Sequence, residues 1–274
     1  MRYAVLSDIH GNLEALSAVL DYLAGERIDR YLCLGDALGY GADPEACLGR
    51  LQACQAVSVC GNHEWACLGK LDARWFNEAA RAAILWTRDR LSFSDLDILR
   101  RWPLVTTEPG TSPEAGSAKG VSMRAAHRPT EEAVTLVHGS LSHPDRFEYL
   151  VDLAQAVDTA KACRTAYCVV GHTHVPIVFE YNGSTRQMAR VLSSAGELAQ
   201  VCLAQPADGM RYVINPGSVG QPRDGDPRAS FAILDTQAKM LTIRRVAYDI
   251  AGAQRKIREA GLPELLAHRL AVGR

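Results

Sequence analysis

The sequence predicts an α/β protein whose mixed sheets are flanked by helices. Two observations lead there. The first third alternates short apolar runs with amphipathic stretches in a β-α-β-α-β order, and beyond residue 176 the pattern changes to hairpin-like strands. Residues 3–6 form an apolar run, as a strand buried on both faces does. Asn12 is placed to cap a helix whose Leu13, Leu16, Val19, Leu20 and Leu23 share one face. A second strand is predicted over 31–34. A helix then opens at Pro44 with Cys47, Leu48 and Leu51 turned inward, Asp43 serving as its cap, and a third strand covers 57–60. That order implies parallel strands joined by right-handed crossovers. Helices are predicted over 77–91 and 95–102, and residues 109–120, rich in Gly, Pro and Ser, read as a loop. Strands over 134–137 and 167–170 enclose a helix over 150–163. Segments 177–181, 188–192 and 200–203 read as antiparallel hairpins, the first closed by Asn182-Gly183. Strands over 230–234 and 240–246 and helices over 250–260 and 263–270 follow.

The 274 residues suffice for one domain, 1–274, with a lid or rim insertion expected near 105–130. The 30 Lys and Arg nearly balance the 31 Asp and Glu, so no whole-molecule field draws a nucleic-acid polymer or a membrane surface. No apolar run approaches the ~20 residues of a membrane span, and nothing at the start reads as a signal peptide. A cytoplasmic protein with no membrane partner is therefore expected. The eight cysteines include no Cys-x-x-Cys pair and read as reduced, mostly buried thiols. Oligomeric state leaves no signal.

The residues that carry chemistry cluster just past the C-terminal ends of predicted strands, where open α/β sheets place ligands. These ends supply Asp8, His10, Asp36, Asn62, His63, His138, His172 and His174, with glycines beside them. In extended chain, residues i and i+2 point the same way, which predicts two pincers, Asp8 with His10 and His172 with His174. Three oxygen donors and four or five imidazoles exceed the needs of one tetrahedral zinc ion, and fit two ions with mixed nitrogen and oxygen shells.

Asp-x-His at 8–10, Gly-Asp at 35–36, Gly-Asn-His at 61–63, His138 and Gly-His-x-His at 171–174, in that order, resemble the motif set of the calcineurin-like metallophosphoesterases. Residues 215–223, Asn-Pro-Gly-Ser-Val-Gly-Gln-Pro-Arg, resemble a segment of the small bacterial and archaeal phosphodiesterase branch. The resemblance implies a two-sheet sandwich with helices outside. It implies that Asp8, His10 and His174 bind a first ion, that Asn62, His138 and His172 bind a second, and that Asp36 bridges them. The cofactors implied are two divalent metal ions, Mn²⁺ first and Fe, Zn or Ni as alternatives, ~3.5–4 Å apart and sharing a hydroxide that attacks phosphorus in line. His63 would bind no metal. It would face the phosphate and donate a hydrogen bond or a proton, which makes His63 and Asp36 the catalytic pair.

Further readings leave alternatives open. Asn12 is both a helix cap and a neighbour of the phosphate, and Asn62 faces substrate as well as metal. Tyr40 is a stacking ring for substrate or a structural residue. Arg223, with Arg228 nearby, pairs with phosphate oxygens or lies on the surface. Arg124 and Arg128 are solvent residues, and His127, His143 and His268 take no part in the site. No carboxylate partner for His63 is visible. The expected function is hydrolysis of phosphodiesters or phosphomonoesters, with nucleotides such as dinucleoside polyphosphates leading. Alternatives are a protein phosphatase-like enzyme, a non-catalytic scaffold such as the retromer subunit of this fold, and a lactamase-type zinc hydrolase. The Gly-Asn-His motif and the Asp-x-His spacing oppose the last of these.

Overall fold

The structure, a computed structural model, describes residues 1–109, 132–192, 198–203 and 209–274. Two six-stranded mixed sheets pack face to face. The first runs β3 (Val57–Ser58), β2 (Arg30–Cys33), β1 (Arg2–Leu6), β11 (Ala229–Asp235), β12 (Met240–Val246), β9 (Leu198–Cys202). The second runs β4 (Val105–Glu108), β5 (Val134–Val137), β6 (Tyr167–Val169), β10 (Met210–Pro216), β7 (Pro176–Asn182), β8 (Gln187–Leu192). Strands β1, β2 and β3 are mutually parallel, as are β5, β6 and β10.

The period-2 alternation of β1 shows why this architecture forms. Tyr3 and Val5 point into the space between the sheets, against Leu136, Tyr167, Val169 and Tyr212. Ala4 and Leu6 point the other way, onto Leu16 and Val19 of α1 (Leu13–Leu23) and Cys47 of α2 (Pro44–Ala53). Both faces of the strand are covered, so its residues are apolar without alternation in chemistry. Helix α6 (Leu153–Ala162) covers the second sheet through Ala156 and Ala160. Helices α3 (Asn62–Cys67), α4 (Glu78–Arg88) and α5 (Phe93–Arg101) follow β3, and α7 (Ile250–Glu259) and α8 (Glu264–Val272) pack as a pair against Ala80 and Ala83 of α4.

Three expectations are corrected. Residues 198–202 do not continue the 177–192 hairpin; they cross to the other sheet and pair with β12. Turn residues specify neighbours in sequence, and nothing in an alternating edge strand names a partner some 40 residues away. The third strand ends at Ser58 because Gly61 caps a helix: the Glu64 carboxylate accepts the Gly61 N–H at 2.9 Å. Asp43 stands at the cap position of α2 without capping it; its carboxylate instead accepts Lys256 Nζ at 2.8 Å, and Lys256 also reaches Glu14 at 2.5 Å, which ties α7 to α1 and α2. Of the expected 105–130 insertion, 105–108 is the edge strand β4, antiparallel to β5. The remainder, with Arg124, His127 and Arg128, lies outside the described residues. All eight cysteines are free. Among the described residues no helix is long and apolar enough to cross a membrane.

Candidate metal centre

The loops after β1, β2, β3, β5 and β6 meet where the C-terminal ends of the two sheets adjoin. Their ligand-type side chains are buried: Asp8, His10, Asp36, His138 and His174 are at most 1% exposed, and Asn62 and His172 stay below 9%. The backbone that aims them is not extended. Asp8, His10, Asp36, His172 and His174 all have positive φ, between 50° and 69°. Asp8 and His10 converge on one group of ligands, whereas His172 and His174 part to two different groups, and left-handed turns rather than strand alternation aim all four. Such residues cost of order 1–3 kcal/mol each and persist where surrounding contacts hold them, as at functional sites.

Those contacts are on the page. Asn215 donates Nδ2 to the Gly171 carbonyl at 2.7 Å and to Thr173 Oγ1 at 3.0 Å, which fixes the loop carrying His172 and His174. Ser218 donates to the Asp8 carbonyl at 2.7 Å. Glu64, fully buried, accepts the backbone N–H groups of Asp36 at 2.8 Å and Leu38 at 3.1 Å as well as that of Gly61. Residues 215–223 resembled a family segment without yielding these roles, and the sequence assigned none to Glu64.

Two clusters result. In the first, His10 Nε2 and His174 Nε2 approach to 3.2 Å, with Asp8 Oδ1 3.3 Å from His174 Nε2. In the second, His138 Nε2 lies 3.1 Å from His172 Nδ1, 3.1 Å from Asn62 Oδ1 and 3.3 Å from Asp36 Oδ2. The same Asp36 oxygen is 3.8 Å from His10 Nε2, so it stands between the clusters. The Nδ1 atoms of His10, His138 and His174 face the carbonyls of Leu38, Leu34 and Gln221 at 2.9, 2.7 and 2.6 Å. Nδ1–H donation to those carbonyls leaves each Nε2 lone pair aimed at its cluster. Lone pairs and carboxylate oxygens converging in this way repel one another unless a proton or a cation sits between them. The donor set fits divalent ions that accept nitrogen and oxygen together.

Electrostatics agree. Burial alone would raise Asp36, but the imidazoles of His138, His63 and His10 hold its carboxyl well below the usual carboxylate range. Burial opposes charging His138, yet Asp36 and Asp8 outweigh it and bring His138 up to about 9. Burial keeps His10, His172 and His174 well below the ordinary histidine value, so they are neutral bases near pH 7. A metal ion must therefore displace a proton from His138, and its affinity rises with pH.

Beside the clusters opens a cleft of about 530 Å³, reached by Asp36, Asn62, His63, His172, His174 and Arg223. His63 is 2% exposed and its ring packs edge-on against Tyr40 and Phe76. Its Nδ1 is buried without a hydrogen-bond partner and abuts Gly39, where any Cβ would strike the ring. Among the described residues no carboxylate is hydrogen-bonded to its side chain, and the Asp36 carboxylate lies within 4.8 Å of a ring nitrogen. Asn12 is committed elsewhere: Oδ1 accepts the Ala15 N–H at 3.1 Å and Nδ2 donates to the Gly220 carbonyl at 2.8 Å, and the residue is absent from the cleft wall. Tyr40 lines the cleft and is also packed into its wall. It is 7% exposed, held between His10 at 4.3 Å and His63 at 4.6 Å, with its hydroxyl 3.4 Å from Arg223. Arg228 forms a two-pronged pair with Asp226, at 3.0 and 2.7 Å. Arg223 does line the cleft, and its loop is pinned by the buried Arg245–Asp224 ion pair. His143 and His268 are exposed.

A family model for the calcineurin-like phosphoesterase superfamily domain matches residues 1–239. The chain belongs to the calcineurin-like phosphoesterase superfamily. A protein from Methanocaldococcus jannaschii, described as uncharacterized, is 36% identical over 271 residues, spanning 99% of this chain and 98% of that protein. The crystal structure of a metallophosphoesterase from Sphaerobacter thermophilus superposes with a TM-score of 0.78 at 38% identity, covering 100% of both chains. A hypothetical protein from Pyrococcus horikoshii shares the fold at a TM-score of 0.72 and 19% identity, over 100% of this chain and 98% of that one.

Close packing around this phosphoesterase-family centre makes one glycine a sharp test. A Cβ at Gly171 would run into Ser7 Oγ and stand 2.9 Å from Asp8 Oδ2, while Ser7 already donates to Asp8 Oδ2 at 2.6 Å. Gly171→Ala is expected to destabilise the chain by about 1–3 kcal/mol, the usual cost of overpacking. Any rise in Tm that Mn²⁺ gives the wild type should shrink with it. Differential scanning fluorimetry with and without Mn²⁺ reads both, and an unchanged metal response would separate Asp8 from metal binding.

Proposed function

We propose that the chain is a two-metal phosphoesterase acting on small phosphoesters, nucleotides among them. Asp8, His10 and His174 would hold one ion, Asn62, His138 and His172 the other, and Asp36 both. The observation that carries this reading is the Asp36 carboxylate oxygen placed between two separate nitrogen-rich clusters, 3.8 Å from His10 Nε2 and 3.3 Å from His138 Nε2. When bound, two divalent ions supply Lewis acidity to the phosphoryl group and a nucleophile from water at neutral pH. The chain's own residues do the rest. Backbone carbonyls of Leu38, Leu34 and Gln221 fix the imidazole tautomers. Arg223 presents a guanidinium to phosphate oxygens in the cleft. His63 faces the same cleft as a hydrogen-bond donor.

Of the features expected to favour dinucleoside polyphosphates, Tyr40 is buried and Arg228 is paired with Asp226. Arg223 is left to meet a distal phosphate, so the reading narrows to a small ester such as a nucleoside monoester or diester. Manganese is the first ion to test. With Mn²⁺ the purified protein is expected to hydrolyse bis(p-nitrophenyl) phosphate, and chelation should abolish turnover and remove two ions per chain, counted by inductively coupled plasma mass spectrometry. Full activity with one ion per chain, or none under any divalent metal, would overturn the reading. A phosphopeptide preferred over nucleotides would favour the protein phosphatase alternative.

A further inference from the structure

The cleft has a second wall that the phosphoesterase chemistry does not use. Opposite in character to the metal clusters, it is built from Leu71, Trp75, Phe76, Phe147 and Tyr149. Trp75 and Phe76 come from the loop after α3, which follows the first sheet; Phe147 and Tyr149 come from the loop after β5, in the second. Two of these rings are open to solvent. Trp75 is 84% exposed, although it ends a one-turn helix whose Asp72 cap accepts the Arg74 N–H at 2.9 Å. Tyr149 is 46% exposed and lies flat on His172, ring centroids 4.0 Å apart at 14°. A large ring held open to water beside a catalytic-type cleft leaves apolar area unburied, which a bound ring would cover.

The charges in the cleft are few. Besides Arg223 its wall offers the cation Arg146, offset by neighbouring Asp145 and by Glu148 at 3.8 Å from the Arg146 guanidinium. That set matches one phosphate group plus an uncharged planar body rather than a run of phosphates. The volume, about 530 Å³, falls within the ~300–1,000 Å³ of small-ligand clefts.

Resting on the phosphoesterase reading, we infer that the Trp75–Tyr149 side of the cleft is a ring-binding subsite that selects phosphoesters carrying a planar aromatic group, a nucleobase or an aryl ring. Stacking on an aromatic side chain tolerates any base, because every base has a π face. Trp75 is the specificity-determining residue, and its exposure means that removal disturbs neither the core nor the metal clusters.

The test uses Mn²⁺-loaded protein and isothermal titration calorimetry. Adenosine 5′-monophosphate and ribose 5-phosphate share sugar and phosphate and differ by the base. The wild type is expected to bind the nucleotide about 5- to 150-fold more tightly, the span of single base–aromatic stacks. Trp75→Ala should erase that preference while leaving ribose 5-phosphate affinity unchanged, and nucleotide binding should quench tryptophan fluorescence in the wild type alone. Phenyl phosphate distinguishes the two sources: a Trp75-dependent gain there supports recognition of any ring, and a gain with adenosine monophosphate alone supports a nucleobase. Equal wild-type affinities, a preference that survives Trp75→Ala, or no nucleotide binding would each overturn the subsite. Turnover of the chromogenic diester without base preference would remove the subsite and keep the phosphoesterase reading. Trp75-dependent nucleotide binding without turnover under any divalent metal would do the reverse.

Discussion

Asp36→Asn is expected to lower kcat/KM for the chromogenic diester by at least about 10³-fold and to bring bound metal from two ions per chain to one or none. A shared ligand acts on both ions, and Lewis-acid stabilisation is worth several kcal/mol, each ~1.4 kcal/mol being a factor of ten. The metal-free fold should survive. Asp36 Oδ1 accepts the His63 N–H at 2.9 Å, and the asparagine oxygen can accept it too, while the new amide can donate toward His138 Nε2. Thermal melts in chelator should thus stay close to wild type. Melts with saturating Mn²⁺ should diverge, because a ligand at 100 times its Kd adds about 2.7 kcal/mol of stability to a chain that binds it. His10→Ala should differ in kind, emptying one position and sparing the other, since His10 Nε2 stands with His174 and Asp8, at 3.2 and 4.0 Å, and only the shared Asp36 oxygen, at 3.8 Å, links it to the second cluster. If Asp36→Asn lost one ion and His10→Ala lost two, the bridging role would pass to another residue.

The sequence made the metal clusters legible because their chemistry is written in residue types: aspartate, asparagine and histidine beside glycine at the ends of apolar runs. The parallel half of the fold was legible for a related reason, since β-α-β alternation leaves short buried runs such as 3–6. Geometry was less accessible. Nothing in Asp8-Ile9-His10 announces left-handed backbone at both ends, because such turns are held by partners distant in sequence: Ser218, 210 residues from Asp8, and, for the His172 loop, Asn215, 44 residues from Gly171. Partner choice for an edge strand was equally hidden, as residues 198–202 show. The aromatic wall had no signal at all. Trp75 and Tyr149 sit in loops without motif or periodicity, and only the approach of the two sheet ends brings them to one cleft. For Tyr40 the sequence left two readings open, and the structure shows a ring at the cleft wall packed against His10 and His63, with Gly39 leaving room for the His63 ring.

His63→Ala is expected to keep both metal ions and lose roughly 10²–10⁴ in kcat, the scale of a positioned acid or donor. The loss corresponds to about 3–5 kcal/mol of transition-state stabilisation. Which of the two His63 is follows from its surroundings. Burial lowers its pKa, Asp36 pulls it back, His138 and Arg223 lower it further, and it settles at about 4. The sign is that of a depressed base: the imidazole is neutral from about pH 5 upward, and bound cations would depress it more. No carboxylate among the described residues is hydrogen-bonded to its side chain, the pull of Asp36 is outweighed, and Nδ1 is shut against Gly39. The expected role of His63 is therefore that of a neutral N–H donor to a phosphoryl or leaving oxygen. Glutamine keeps an N–H donor and cannot carry a proton, so His63→Gln should recover activity to within about tenfold of wild type, the net worth of one hydrogen bond. The kcat of the wild type should also show no limb from His63 between pH 6 and 8. Equal, deep losses in both variants with full metal content, together with a larger defect on poor leaving groups, would make His63 a proton donor instead. Metal content that falls in step with activity would make it a ligand, as its place near His10 and Asp36 allows.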